Sequence, residues 1–104
     1  MILGEWMDIS KIVDADMLAD AFLSLETREE CMAFFEDVFT IAELRAVAQR
    51  LEVASLLRDG KNYNEIVSET GASSATVSRV SRCLTYGPGG YNTVFERIEN
   101  KESK

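Results

Sequence analysis

The fold of this chain is decided by residues 63–80, which read YNEIVSETGASSATVSRV. Apolar residues recur at helical spacing on both sides of Gly71, which predicts two short helices that meet at a tight turn. Glycine suits such a turn because it adopts the left-handed conformation without steric cost. We expect the two helices to be locked together by the apolar side chains of Ile66, Val67, Val77 and Val80. The pattern therefore predicts a helix-turn-helix over about residues 62–84.

The second helix of this motif carries small polar residues and arginines between its apolar positions. Small side chains at a helix N-terminus let a phosphate approach the free N–H groups and the positive end of the helix dipole. Hydroxyl and guanidinium groups can contact phosphates and base edges in the major groove of DNA. The competing interpretation is an ordinary Ser/Thr-rich helical hairpin in a bundle. The residues that we predict to contact DNA are Lys61, Asn64, Ser73, Ser74, Ala75, Thr76, Ser78, Arg79 and Arg82.

Capping signals around the motif predict four further helices. Three of them begin at Asp14, Thr27 and Thr40, and the third of these ends near Gly60. The last one follows the glycine- and proline-containing loop 87–90. No stretch alternates apolar and polar residues as a half-buried strand would, so the expected fold class is all-α.

Length and apolar content indicate one domain that associates with a second copy. The chain has 104 residues, which is the size of one domain, and we assign residues 1–104 to it with a frayed polar tail over 99–104. Hydrophobic residues make up 46% of the sequence, more than so small a monomer easily buries. The third helix is also apolar on more than one face, which favours burial on two sides. These features predict a homodimer, and the alternative is a tightly packed monomer.

The distribution of charge is compatible with contact to DNA at one segment only. The net charge is −7, which argues against binding of nucleic acid by bulk attraction. Residues 40–86 nevertheless hold six bases against five acids, whereas the rest of the chain holds five bases against thirteen acids. The excess of acidic residues therefore lies outside the helix-turn-helix.

The sequence contains no candidate catalytic or metal site. There is no histidine, which removes the most common general base and metal ligand. The acidic side chains of the second helix fit a solvated exterior. Cys31 and Cys83 are far apart and fit buried free thiols in a reducing compartment. We therefore expect no enzyme activity, no cofactor and no metal.

The N-terminal segment does not have the pattern of a signal peptide. Residues 1–7 include apolar side chains but no basic region and no long apolar run. No stretch reaches the roughly 20 apolar residues of a membrane-spanning helix. We therefore expect a cytoplasmic protein without a membrane partner.

Residues 40–84 resemble the Trp repressor superfamily, and most closely its Trp-repressor-like YerC/YecD subfamily. The resemblance is carried by AQRLEVA at 48–54 and TGASSATVSRV at 70–80, and it continues through RCL at 82–84 and the Tyr-Gly pair at 86–87. The series of helices from about Asp14 to Ile98 also fits. The resemblance implies an intertwined six-helix dimer with two helix-turn-helix heads. It also implies double-stranded DNA as partner and a function as a sequence-specific transcription regulator, with repression as the expected mode.

The resemblance also implies a candidate effector pocket. In the Trp repressor two arginines sandwich the indole of the corepressor, with a threonine and a serine nearby. Arg50 and Arg79 fall at the arginine positions, and Thr40 and Thr76 match as well. Val80, however, replaces a glycine beside the ring slot, and Cys83 replaces a serine. The candidate pocket therefore comprises Thr40, Arg50, Arg79 and Cys83.

These two replacements predict that tryptophan is not the effector. A branched side chain fills space that the ring needs, and a thiol is a poorer hydrogen-bond partner than a hydroxyl. Arg50 and Arg79 could instead form structural ion pairs or contact phosphates, and the sequence does not name another effector.

A second functional class remains open at this point. The chain could be a helical protein-interaction module in which the acidic N-terminal half binds a partner and the helix-turn-helix is vestigial. The salt dependence of DNA binding distinguishes the two classes, because phosphate neutralisation produces a steep salt slope.

Overall fold

The computed structural model describes residues 9 and 14–102, and their regular structure consists of six α-helices. The predicted all-α fold class is confirmed. Residues 1–8, 10–13 and 103–104 lie outside the described part, and with them the segment considered as a signal peptide and the end of the predicted tail. Across the described residues, no helix combines the length and apolar character that crossing a membrane requires. The helices are α1 (Ala15–Ser24), α2 (Arg28–Val38), α3 (Ile41–Arg58), α4 (Tyr63–Thr70), α5 (Ser74–Tyr86) and α6 (Gly90–Glu102).

Side-chain caps begin four of these helices. In α1, α2, α4 and α5 the cap oxygen accepts a hydrogen bond from the backbone N–H three residues later, which satisfies an otherwise orphan donor. The caps are Asp14, Thr27, Asn62 and Ser73. At α2 the Glu30 carboxylate reaches back beyond the cap residue and accepts a hydrogen bond from the N–H of Glu26 at 2.8 Å. At α4 the full capping box is present between Asn62 and Glu65.

Helix α3 ends where Gly60 predicts. Gly60 has φ +87°, and its N–H donates to the carbonyl of Leu57 at 3.1 Å. The N–H of Lys61 donates to the carbonyl of Leu56, also at 3.1 Å. This pair of bonds is the Schellman arrangement, which satisfies two carbonyls at the helix end.

The contacts within the chain divide it into two compact units, one up to Ala42 and one from Glu43 onward. In the first unit the Phe22 ring meets the Phe34 ring edge-on, with 5.6 Å between ring centroids. No residue of α1 or α2 is fully buried. Met17 is 69% exposed and Leu23 is 83% exposed.

The second unit contains the buried core among the described residues, and that core is built by the helix-turn-helix and the end of α3. Its members are Val53, Ala54, Ile66, Ala72, Val77 and Val80. Three of the four apolar residues that we expected to lock α4 to α5 are thus buried. The fourth, Val67, is 36% exposed and lies on the outer side of α4. Val67 is thus less buried than expected, because adjacent positions of a helix point about 100° apart and Ile66 takes the direction of the core.

The two C-terminal helices extend farther than the sequence indicated. Helix α5 continues past Leu84 to Tyr86, and α6 continues to Glu102, into the stretch expected to be a frayed tail. An ion pair of 3.0 Å between Arg58 and Glu99 lies within that stretch and links α6 to the end of α3. These residues are 41 positions apart in the chain, so the stretch is held by a contact that no local pattern displays.

Candidate nucleic-acid interface

The turn between α4 and α5 is held by side-chain hydrogen bonds as well as by glycine. Gly71 has φ +74° and ends α4 in the left-handed conformation. The Thr70 hydroxyl donates to the carbonyl of Ile66 at 2.7 Å and accepts from the N–H of Ala72 at 3.1 Å. The Gln49 side chain donates to the carbonyl of Thr70 at 3.3 Å. The turn is therefore fixed both to its own helix and to α3, a role of Thr70 and Gln49 that we did not predict from the sequence.

The N-terminus of α5 begins with a local hydroxyl network. The Ser73 hydroxyl accepts from the N–H of Thr76 and donates to the Thr76 hydroxyl, each at 3.1 Å. Ser73 is exposed, whereas Thr76 is half-buried. Both belong to the predicted DNA-contacting set, and both also stabilise the first turn of the helix.

The remaining predicted residues of α5 lie exposed on the surface. Positions three or four apart in a helix are neighbours on one side, so these residues form a continuous stripe along α5. We refer to this stripe as the α5 polar face: Ser74, Ala75, Ser78, Arg79 and Arg82. Lys61 and Asn64 are exposed at the start of α4. All nine predicted residues thus belong to the second unit, in or directly before the helix-turn-helix.

Three of the four residues of the candidate effector pocket, Arg50, Arg79 and Cys83, belong to the second unit and act on the ionisation of Tyr91, the second residue of α6. Burial raises the pKa of the Tyr91 phenol, and the nearby Cys83 raises it further, while the charges of Arg50 and Arg79 act in the opposite direction. Thr40, the fourth residue, belongs to the other unit.

A shallow apolar cavity of about 400 Å³ lies beside this cluster. It is lined by Leu51, Cys83, Tyr91, Val94 and the loop 88–90. Val80 is not among the lining residues, because it is 1% exposed and belongs to the core.

Tyr91 is held in turn by a stack of side chains. Its ring stacks on Phe95, with centroids 6.5 Å apart and planes 14° from parallel. The Arg58 guanidinium lies 5.2 Å from the centroid of the Phe95 ring, a cation–π contact. Arg58 also forms the ion pair with Glu99, so one connected set of contacts joins α3 to α6.

The fold and this surface define a class: an all-α helix-turn-helix protein whose second motif helix presents a polar face. A family model described as "Trp repressor protein" matches residues 14–99. The chain therefore belongs to the Trp repressor family.

Relatives of similar length support this membership. The chain is 47% identical to the uncharacterized protein YerC of Bacillus subtilis (strain 168) over 100 residues, which cover 94% of this chain and 96% of YerC. It is also similar to the structure of a Trp repressor-like protein from Staphylococcus aureus, with a TM-score of 0.83 and 43% identity over 90% of this chain and 96% of that one.

A second solved structure, of a TrpR-like protein from Eubacterium eligens ATCC 27750, has a TM-score of 0.78 and 49% identity over 84% of this chain and 91% of that one. The predicted resemblance to the Trp repressor superfamily and to its YerC-like members is confirmed.

Proposed function

We propose that this chain is a sequence-specific DNA-binding transcription regulator, acting as a repressor through its helix-turn-helix. The observation that carries the proposal is the α5 polar face. It is exposed along its length, while Val77 and Val80 on the opposite side of the same helix are fully or almost fully buried. Membership of the Trp repressor family independently supports a helical DNA-binding regulator.

The side chains of this face indicate that DNA affinity and sequence preference come from different contacts. Ser74, Ala75 and Ser78 are short, so few direct contacts with base edges are within their reach. Affinity then comes mainly from phosphate contacts of Arg79, Arg82 and Lys61 and of N–H groups at the start of α5. Sequence choice comes from water bridges and from the shape of the DNA.

The active form in this proposal is a homodimer. Each unit of a single chain leaves apolar surface open: an apolar depression of about 490 Å³ beside Met17 and Phe34 in the first, and the cavity of about 400 Å³ in the second. A second copy of the chain can cover both surfaces, because it carries the same two apolar surfaces and the two copies can bury them against each other. A dimer with twofold symmetry binds a palindromic site with half-sites about one helical turn apart.

Tryptophan is not the effector in this proposal. Val80 is packed in the core between α3, α4 and α5, and a branched side chain there occupies space that a glycine would leave open. Tyr91 shares a cavity with Cys83, one of the positions that the resemblance assigns to an effector. Other small-molecule effectors are left open.

In this proposal the protein acts in the cytoplasm, where it regulates transcription and catalyses no reaction. The Trp repressor family is a regulatory family rather than an enzymatic one.

Selection of genomic DNA fragments by the purified protein tests this function. We expect enrichment of a small set of fragments that share a palindrome. A matched control is the Ser74→Ala, Ser78→Ala double variant, which keeps the arginines and should retain affinity while losing preference among fragments. If neither protein retains DNA at moderate salt and the acidic N-terminal half instead binds another protein, the chain is an interaction module.

A further inference from the structure

A hydrogen bond from outside the helix-turn-helix satisfies the last carbonyl of α4. The final carbonyls of a helix have no partner within that helix. The carbonyl of Thr70, the last residue of α4, accepts instead from the side-chain amide of Gln49 at 3.3 Å. Gln49 lies one helical turn before the fully buried Val53 on the same side of α3. Gln49 itself is half-buried, so it forms this bond at the margin of the core that α3 shares with the motif.

From Thr70 the hydrogen bonds continue to the start of α5. The Thr70 hydroxyl accepts from the N–H of Ala72 at 3.1 Å. Ala72 is 2% exposed and directly precedes Ser73, whose hydroxyl caps α5 by accepting from the N–H of Thr76. One series of contacts therefore connects α3 to the end of α5 at which the polar face begins.

We propose that Gln49 is a positioning residue for sequence preference: its bond to the Thr70 carbonyl sets the orientation in which α5 presents its polar face to DNA. This inference rests on the proposed DNA-binding function and deepens it, because it adds a residue of α3 that acts through the turn rather than by touching DNA.

The physical basis is that the apolar contacts of α3 with α4 and α5 do not fix a direction by themselves. Burial of apolar surface is non-directional, whereas a hydrogen bond weakens steeply as its angle departs from linear. In the proposed function, short side chains and bridging waters choose the sequence, and such contacts tolerate little displacement of the helix. Long arginine side chains can follow a small rotation and keep their phosphates. Loss of the Gln49 bond should therefore reduce sequence preference more than general affinity for DNA.

The test compares affinity for a selected fragment with affinity for DNA of random sequence in Gln49→Met. Methionine keeps the length of the side chain but cannot donate a hydrogen bond. We expect the ratio of the two affinities to fall roughly two- to tenfold, the equivalent of a typical net hydrogen-bond contribution. Affinity for random DNA and its salt slope should keep their wild-type values, because no phosphate contact is removed.

Gln49→Lys is the matched rescue variant. Its ammonium group can donate to the same carbonyl from a side chain of similar length, so the affinity ratio should return toward the wild-type value. The added charge should raise affinity for both DNAs, and taking the ratio removes this common effect.

Amide hydrogen exchange without DNA tests the contact on its own, since exchange reports local opening of the structure. Gln49→Met should accelerate exchange severalfold at Ala72, whose N–H bonds to the Thr70 hydroxyl. Exchange at Phe39, whose N–H bonds to the carbonyl of Phe35 in the first unit, should be unchanged.

The outcomes separate this inference from the proposed function. An equal loss of affinity for both DNAs in Gln49→Met would make Gln49 a direct contact to the DNA backbone, and an unchanged ratio would limit its bond to stability. Either result, or a ratio in Gln49→Lys no higher than in Gln49→Met, would overturn the positioning role while the DNA-binding function stands. Unchanged exchange at Ala72 would overturn the contact, whatever the DNA result. Absence of DNA binding by the wild type would overturn both the inference and the function.

Discussion

At the scale of single residues, the clearest constraint is the backbone of Gly71. Its φ of +74° is a conformation that costs an L-residue about 1–2 kcal/mol, although no atom lies close enough to obstruct a Cβ there. Gly71→Ala should therefore destabilise the protein by about 1 kcal/mol through backbone strain alone. Gly90→Ala is the matched control, since Gly90 has equally open surroundings and no positive φ. Urea unfolding of both variants measures the difference.

If the two alanine variants proved equally stable, the turn would not hold its left-handed glycine in solution. The hydrogen bonds of Thr70 depend on the path of this turn, so they could not fix the angle between α4 and α5 in that case.

The prediction that tryptophan does not bind rests on the side chain at position 80. Val80 is 1% exposed, so the space that a glycine would leave is filled. Isothermal calorimetry of the wild type should detect no tryptophan binding in the micromolar range. The Val80→Gly, Cys83→Ser double variant is the one in which binding would first emerge, although the glycine costs about 1 kcal/mol of helix propensity and the cavity that it leaves in the core destabilises the protein further. Micromolar tryptophan affinity of the wild type would contradict the account.

At the scale of helices, the packing of α4 on α5 buries one of two adjacent β-branched residues and leaves the other partly exposed. Ile66 is fully buried in the core, whereas Val67 is 36% exposed. Ile66→Ala should destabilise the protein by about 2–5 kcal/mol, because it removes buried surface and leaves a cavity. Val67→Ala should cost well under half as much. Thermal or denaturant unfolding measures the loss of stability in each variant. Similar losses would mean that α4 turns Ile66 and Val67 equally toward the core.

The helix starts were predictable from the sequence because the chemistry that sets them is local. Asp14, Thr27, Asn62 and Ser73 each bond to a backbone N–H three residues away, so a short window contains both partners. The exposed polar side of α5 was predictable for the same reason: helical periodicity assigns its residues to one side once Val77 and Val80 are taken as buried.

The contacts of Tyr91 and Glu99 could not be found in the same way. Tyr91 packs against the core and lines the cavity of the second unit, and Glu99 binds Arg58, 41 positions earlier. Such contacts depend on how α6 packs, which no periodicity within α6 specifies. A polar helix end that looks frayed in sequence can therefore be held by a partner that lies far away in the chain.

At the scale of the whole molecule, the described chain buries few residues completely and exposes many large apolar ones. Leu51, for example, is 39% exposed and lines the cavity of the second unit. We expect a dimer at micromolar concentration with an interface on the order of 2,000 Å² or more. Light scattering should therefore give twice the chain mass of 11.6 kDa.

A charged side chain introduced at this surface tests the proposed dimer. Leu51→Glu should shift the protein toward monomer, since a carboxylate buried without a partner is unfavourable. Glu52→Gln, at the neighbouring exposed position, should leave the dimer intact. A wild type that scatters only as a monomer would refute the proposed assembly.

The most direct test of DNA binding through the α5 polar face is the salt dependence of affinity for a selected fragment, compared among wild type, Arg79→Ala and Arg97→Ala. Each phosphate contact contributes about −0.9 to the slope of log affinity against log salt. We expect a steep negative slope for wild type, a slope flatter by about one contact in Arg79→Ala, and a wild-type slope in Arg97→Ala, whose exposed arginine lies on α6. A flat slope in all three proteins, or the same loss in Arg97→Ala as in Arg79→Ala, would contradict the account.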